Sequence, residues 1–564
     1  MKQLIECVPN ISEGRDMNII KQVTDEIEKV EGVKLLDVDP GATTNRTVIT
    51  FVGEPEPVKE AAFRVIKKAA ELIDMRHHQG DHPRFGATDV CPLIPVSNIT
   101  MDEVVEHARE LGKKVGDELG IPVYHYEFAA FEPKRRNLAN CRQGEYEGLR
   151  ERMETVEWKP CFGPDKWNDR VAGSGATAIS ARNFLIAVNY NLNTTSTRRA
   201  NALAFDVREA GRPQREGGKP NGKPIKDENG NVIMIPGTLK GTKAIGWFIE
   251  EYGVAQVSMN ITDITQTPLH ICFDEVVDKA TKRGMRVTGV EIVGLVPKSC
   301  LIDAGKHYLR KQTRSLGVSE DELIKIAIKS MGLDDLKPFD PQEKVIEYMI
   351  ADTTEEKLVD MTCKEFADET ASESPAPGGG SISAYMGSLG AALGSMVANL
   401  SSHRPGWDER WEEFSIWAEK GQALKDELLY LVDEDTRSFN LIMEAFSLPR
   451  KTEEDQKARH DAIQDATKYA IEIPYRTLKA SFEVFELCIA MIKTGNPNSI
   501  TDAGVGILAA RAACYGALMN MKINAGSLDD KAYVNEIITE GETLLREADK
   551  IEKEYTAIVM KEIS

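Results

Sequence analysis

Three of the nine histidines in this 564-residue chain, His77, His78 and His82, fall in one short loop with Arg76, Arg84 and Asp89. Imidazole titrates near neutral pH, so a histidine there could take a proton from an attacking amine and return it to a leaving one. The same imidazoles with Asp89 could instead hold zinc or manganese. Their spacing, however, matches neither His-Glu-x-x-His nor another closed ligand set, and no cysteine joins them. A purely structural turn is the third reading. A second polar group contains Asp37, Asp39, Asn45 and Arg46. Asp39 ends a predicted strand, where its carboxylate could orient an imidazole or simply form a turn.

Two features in the second half could also carry chemistry. Gly378, Gly379 and Gly380 precede a predicted helix, whose free backbone N–H groups could cradle an anion or a carbonyl oxygen; a flexible turn is the alternative. On the helix predicted over 411–446, Leu424, Leu428, Leu431, Val432, Phe439, Ile442 and Phe446 share one apolar stripe. Asp435 lies at its centre and Asp433 points nearly opposite. Desolvation of such a carboxylate raises its pKa, which suits proton transfer at neutral pH. A buried Asp paired with a neighbouring helix explains the same pattern.

The elements that must position these groups differ between the two halves. Hydrophobic periodicity predicts strands at 33–38, 47–52 and 90–96 and helices at 57–73 and 101–119, the latter opened by Thr100 and Glu103. A similar order returns with strands at 184–188, 255–261 and 287–296 and helices at 201–210 and 269–283. This predicts an α/β N-terminal half made of two related lobes with a cleft, residues 1–180 and 181–337. A basic, Gly/Pro-rich stretch over 211–241 reads as a solvated loop or as a flap guiding an anionic substrate, with an Asn-Gly hairpin at its centre. A linker over 338–356 then leads to an all-α helical bundle over 357–564, with helix N-terminal signals at Thr362 to Glu365 and Thr452 to Asp455.

Seventy Lys and Arg against ninety Asp and Glu give a net charge of −20. That balance disfavours nucleic acid and anionic lipid as partners, so an acidic substrate needs a local basic patch. The nine cysteines are dispersed without a Cys-x-x-Cys pair, which predicts reduced thiols in a cytoplasmic protein. The apolar stretch at the start is too short for a signal peptide and is interrupted by Glu6. Residues 374–402 carry no charge and contain Gly390 and Gly394 in Gly-x-x-x-Gly spacing. Their Gly, Ala and Ser content predicts a closely packed helix of a bundle rather than a membrane span.

Taken together, the segments from Glu6 to Gly14, Asp37 to Asp39, Thr44 to Thr47, Phe51 to Gly53, His82 to Arg84, Asp89 to Pro92, Phe162 to Pro164, Gly175 to Thr177 and Gln256 to Ser258 resemble the transferase half of the formimidoyltransferase-cyclodeaminase family. Those from Ala376 to Ser381, Gly390 to Met396 and Leu431 to Asp435 resemble its cyclodeaminase half, in the same order. The resemblance implies transfer of a formimino group from N-formimidoyl-L-glutamate to N5 of tetrahydrofolate. Ring closure to 5,10-methenyltetrahydrofolate with loss of ammonia then follows, a route of histidine degradation. It implies His82 as general base supported by Asp39 and Arg84, folate contacts at Gly163, Pro164, Gly175 and Asp206, a second folate site at Gly378–Gly380, and Asp435 as catalytic aspartate. It further implies a homo-oligomer that uses tetrahydrofolate, in mono- or polyglutamylated form, and needs no metal. The 211–241 stretch is longer than in animal members, and 164–174 matches poorly beyond Pro164. Rival readings are an N-formylglutamate-dependent formyltransferase, a metal-dependent hydrolase built on His77, His78 and His82, and a non-catalytic folate-binding protein.

Overall fold

The computed structural model describes residues 3–42, 44–80, 83–219, 221–351 and 357–564. The chain divides into two compact units, Met1–Leu301 with Met331–Ala351, and Ile302–Ser330 with Asp352–Ser564. Residues 302–330 therefore pack with the helical half, although their place in the chain groups them with the α/β half.

Among the described residues the first unit holds a seven-stranded mixed sheet and a four-stranded antiparallel sheet. In the larger sheet Leu4–Cys7 lies antiparallel to both Arg46–Gly53 and Thr88–Ser97, while Thr88–Ser97, Thr177–Ala181 and Val123–Glu127 run parallel. Helices Met17–Glu28, Pro55–Leu72 and Met101–Leu119 bury their apolar stripes on one face of it. Strand side chains alternate between faces, so Ile5, Cys7, Ile49, Phe51, Cys91 and Leu93 enter that core. Their neighbours Glu6, Asn10, Arg46, Thr50 and Pro92 point to the other face. The smaller sheet repeats the local plan of strand, proline and helix: Val254–Ile261 leads through Pro268 into Leu269–Lys282, as Arg46–Gly53 leads through Pro55 into its helix. The predicted hairpin is present, with Lys226 bridging Val232 and Gly230 in a left-handed turn.

In the second unit every regular element from Cys363 onward is a helix among the described residues. Capping boxes open Cys363–Thr370 at Thr362 and Glu453–Thr494 at Thr452, as the sequence signals predict. Helix Gly379–Ser402 is long and apolar enough to cross a membrane by length and composition, yet 61% of its apolar window is buried against protein. Its small residues let Trp411–Ser447, Glu453–Thr494 and Ile500–Ala525 approach closely. A Cβ added at Gly394 would lie 2.6 Å from Leu487, which has no exposure. Gly394→Val should therefore overpack this seam and destabilise the second unit by roughly 1–3 kcal/mol, read as an earlier denaturant midpoint in the helical signal.

Candidate active sites

The open face of the larger sheet is the floor of a cavity of about 410 Å³. Alternation alone puts Glu6, Val8 and Asn10, then Arg46, Val48 and Thr50, then Asp37 and Asp39 into it. Arg142 and Arg182 add two further guanidinium groups at the lining. The lining is therefore a patch of mixed charge, in which these three guanidiniums could meet an anionic substrate beside the carboxyls of Glu6, Asp37 and Asp39.

The patch is built on one buried carboxylate. Asp89 has no exposure, and its Oδ2 accepts from Arg46 Nη1 at 2.5 Å and from Arg142 Nη1 at 2.6 Å. The backbone N–H of Phe85 donates to Oδ1 at 3.1 Å. Burial alone would raise the Asp89 pKa, but the two guanidiniums outweigh it and hold the carboxyl below its ordinary value. Two cations on one anion leave a net positive charge facing the cavity. Glu6 behaves in the opposite way. It is 4% exposed, and burial pushes its carboxyl up to about 7, with Arg182 opposing and Glu347 reinforcing the shift.

The described part of the histidine loop packs against Thr44 and Asn45. Asn45 donates from Nδ2 to the Gln79 carbonyl at 2.9 Å, and a Cβ on Gly80 would meet the Thr44 carbonyl at 2.3 Å. His82 lies outside the described residues. His78 is not available to a metal: its Nε2 pairs with the Asn45 carbonyl at 2.9 Å, and its Nδ1 accepts from Arg84 Nε at 3.2 Å. Burial lowers the His78 pKa, in keeping with a neutral ring. His77 is exposed, with Asp74 3.9 Å away. The hydrolase reading on this loop is therefore not favoured. Arg84 is anchored by Glu147 at 2.8 and 2.9 Å and by Glu145 at 3.3 Å, beside an open cavity of about 440 Å³. Asp39 is exposed at the rim of the 410 Å³ cavity.

The proposed folate contacts of the first half are dispersed. Gly163 and Gly175 both have positive φ, and a Cβ on either would strike a backbone carbonyl, Ile121 at 2.3 Å or Phe85 at 2.2 Å. Close packing alone explains both glycines. Neither they nor Pro164 line the Arg46 cavity. The Asp206 carboxylate is taken by Arg212 and Arg283, so it pins the start of the 211–241 stretch to the helix Thr197–Val207.

In the helical unit the sequence-read groups do converge. Gly378, Gly379, Gly380 and Asp435 line one cavity of about 170 Å³, joined by Asn520 and Asn524. Asp435 Oδ2 accepts from the Ser381 backbone N–H at 2.8 Å and from its hydroxyl at 3.1 Å. The helix start thus cradles the chain's own carboxylate. A Cβ on Gly380 would lie 2.1 Å from Asp435 Oδ1, which requires glycine there. Burial raises the Asp435 pKa and the Ser381 hydrogen bonds partly offset it. The apolar stripe is less continuous than its spacing implies. Leu428, Leu431 and Val432 are buried, but Phe439, which lines the cavity, and Phe446, which does not, are 44% and 50% exposed. Asp433 accepts from the Leu358 N–H at 2.7 Å.

Arg142, Arg182, Asn520 and Asn524 were not singled out from the sequence, and Arg46, Glu6 and Ser381 were noted there without a role at a site. For Glu6 a signal existed, a carboxylate inside an otherwise apolar strand. For Arg142 none did, since it reaches Asp89 from 53 residues away.

Residues 4–182 match the family described as formiminotransferase domain, N-terminal subdomain, 187–351 match formiminotransferase domain, and 362–543 match formiminotransferase-cyclodeaminase. Formimidoyltransferase-cyclodeaminase of Rattus norvegicus is 38% identical over 97% of each chain. The chain belongs to this family. Glutamate formimidoyltransferase of Thermoplasma acidophilum is 41% identical over 54% of this chain and 92% of its own. Methenyltetrahydrofolate cyclohydrolase of Methylorubrum extorquens is 37% identical over 36% of this chain and 97% of its own.

The Glu6 carboxyl makes stability depend on pH with a definite sign. Its folded pKa is raised, so its favourable contribution is complete below the ordinary carboxylate range and is lost as pH rises through about 7. Glu6→Gln should melt with the wild type near pH 4 and be more stable at pH 8, by on the order of 3 kcal/mol. Parallel thermal melts at the two pH values check this, and a variant less stable at pH 8 contradicts it.

Proposed function

We propose that this chain carries out two consecutive folate reactions at its two sites. In the first, N5 of tetrahydrofolate attacks the formimino carbon of N-formimidoyl-L-glutamate. The new C–N5 bond forms as the bond to the glutamate nitrogen breaks, the N5 proton passes to a base, and the leaving nitrogen gains a proton. In the second, N10 attacks the same carbon, ammonia departs, and N10 gives up its proton, leaving 5,10-methenyltetrahydrofolate. End-to-end similarity to a relative named for both activities carries this reading. The cavities support it: arginines suit the donor's two carboxylates, and Asp435, with its raised pKa, suits a proton shuttle between N10 and the departing amine.

His82 serves as base at N5, with Asp39 and Arg84 as positioning residues. Gly378–Gly380 seat the substrate of the second step beside Asp435. Gly163, Pro164, Gly175 and Asp206 act on folate only by shaping the surrounding backbone. Neither step needs a metal, since proton transfer and orientation supply the chemistry. A polyglutamylated folate suits the arginine-rich surroundings. The exposed Phe439, Met443 and Phe446 support a homo-oligomer, and cysteines that form no disulfide among the described residues support a cytoplasmic one.

The test mixes the full chain with tetrahydrofolate and N-formimidoyl-L-glutamate and follows methenyltetrahydrofolate absorbance with ammonia release. His82→Ala should slow transfer by about 10²–10⁴-fold. Asp435→Asn and Gly380→Ala should leave transfer intact and accumulate 5-formimidoyltetrahydrofolate. Consumption of N-formyl-L-glutamate in place of the formimino donor would overturn the donor assignment.

A further inference from the structure

A buried carboxylate without a partner is expensive, because desolvation is not repaid by a hydrogen bond or a counter-charge. Glu6 is such a group. It sits mid-strand between Val52 and Ile94 and lines the 410 Å³ cavity. Among the described residues no hydrogen bond or ion pair reaches its carboxyl. Arg182 lowers the energy of its charged form without pairing, and donates instead to the Asn183 carbonyl at 2.9 Å. Buried polar groups are nearly always satisfied, so an exception that faces a cavity marks a place for a ligand.

The chemistry of that ligand group follows from the charges around it. Arg46, Arg142 and Arg182 suit anions, whereas Glu6 suits a cation with N–H donors; Asp37 and Asp39 also line the cavity, Asp39 at its exposed rim, and Glu6 is the buried carboxyl of the three. A formimino group on nitrogen is an amidine, which is a strong base and is protonated at neutral pH. N-formimidoyl-L-glutamate therefore carries two carboxylates and one planar amidinium, a pattern of charge complementary to this lining. The N-formyl analogue has the same size and the same carboxylates but a neutral amide in that position.

We propose that Glu6 is the specificity-determining residue of the transferase site, its carboxylate receiving the amidinium N–H groups of the donor while the arginines hold its carboxylates. The proposal rests on the transferase reading and adds to it the basis for choosing a formimino over a formyl donor. Rejection of the formyl analogue comes from leaving Glu6 buried and unpaired, the situation in which polar sites discriminate most strongly. Because the contact is made to a charged group, losing it weakens the donor far more than it weakens a neutral analogue.

The experiment uses the full chain with tetrahydrofolate at pH 8, N-formimidoyl-L-glutamate as donor and N-formyl-L-glutamate as competitive inhibitor. Glu6→Gln should lower kcat/KM for the donor by about 100-fold while the inhibition constant of N-formyl-L-glutamate stays within about twofold or tightens. Equal loss for both compounds, or for neither, overturns the proposal. Inhibition retained with N-formyl-L-glutamate, and a melt matching the wild type near pH 4, show that the unit carrying Glu6 is folded in the variant. A second measurement needs no variant: N-carbamimidoyl-L-glutamate, a cation, should inhibit the wild type at least about tenfold more tightly than its neutral isostere N-carbamoyl-L-glutamate. Equal inhibition by the pair counts against the carboxylate–amidinium contact. If the wild type transfers nothing from N-formimidoyl-L-glutamate, the transferase reading fails and this proposal fails with it. Unchanged selectivity in an active Glu6→Gln removes the proposal alone.

Discussion

Asp89 is a carboxylate with no solvent exposure, and the first site is arranged around what that costs. Taking one ion out of water costs several kcal/mol, and removing a partner from a buried pair strands the other charge. Here the anion is met by two cations drawn from distant places, Arg46 on a strand and Arg142 beyond the short helix Leu138–Cys141. The triad therefore does two things at once. It fixes three stretches of chain against one another, and it leaves an excess positive charge at a cavity wall in a chain whose net charge is −20. The arginines are held with little side-chain freedom left to lose, so an anionic ligand meets preorganised donors.

In the helical unit the organising constraint is steric rather than ionic. Helix Gly379–Ser402 is made of residues small enough for three neighbours to come close, and the same economy of side chain continues to its first turn. With no Cβ at Gly380, Asp435 can reach the Ser381 N–H and hydroxyl. Two opposing effects then set its acidity. Burial raises the pKa, and the helix-start hydrogen bonds restrain the rise, leaving a carboxyl that stays ionisable while remaining basic enough to accept a proton.

These differences explain what could be read along the chain. Local signals were reliable where the physics is local: Thr100, Thr362 and Thr452 cap the helices they announce, and the Asp227–Asn231 turn closes the predicted hairpin. Asp435 was legible because helical periodicity alone puts it on the buried stripe. The same argument overran beyond Asp435, since periodicity reports which residues share a face and not where the neighbouring helices stop. Strand 184–188 begins later, at Ile186, and helix 201–210 begins earlier, at Thr197, because Ser196 caps it by accepting from the Arg199 N–H. The arginine cavity was not legible. Arg142 and Asp89 meet only through the tertiary fold, and Glu6 read as a break in an apolar stretch until the sheet gave that face an interior.

The two cavities also share a requirement that neither shows alone. The transferred group is an amidinium in the donor of the first step and again in the substrate of the second, so the same small cation must be recognised twice by unrelated folds. Each cavity places a carboxylate with a raised pKa at its wall, Glu6 and Asp37 on strands in one and Asp435 on a helix in the other. The surroundings then separate their roles. Glu6 lies among guanidiniums that seat carboxylates, and no protein donor reaches it, which suits steady recognition of charge. Asp435 accepts two hydrogen bonds from Ser381 beside Asn520 and Asn524 and lacks a cation within reach among the described residues, so its proton can come and go as the amine leaves.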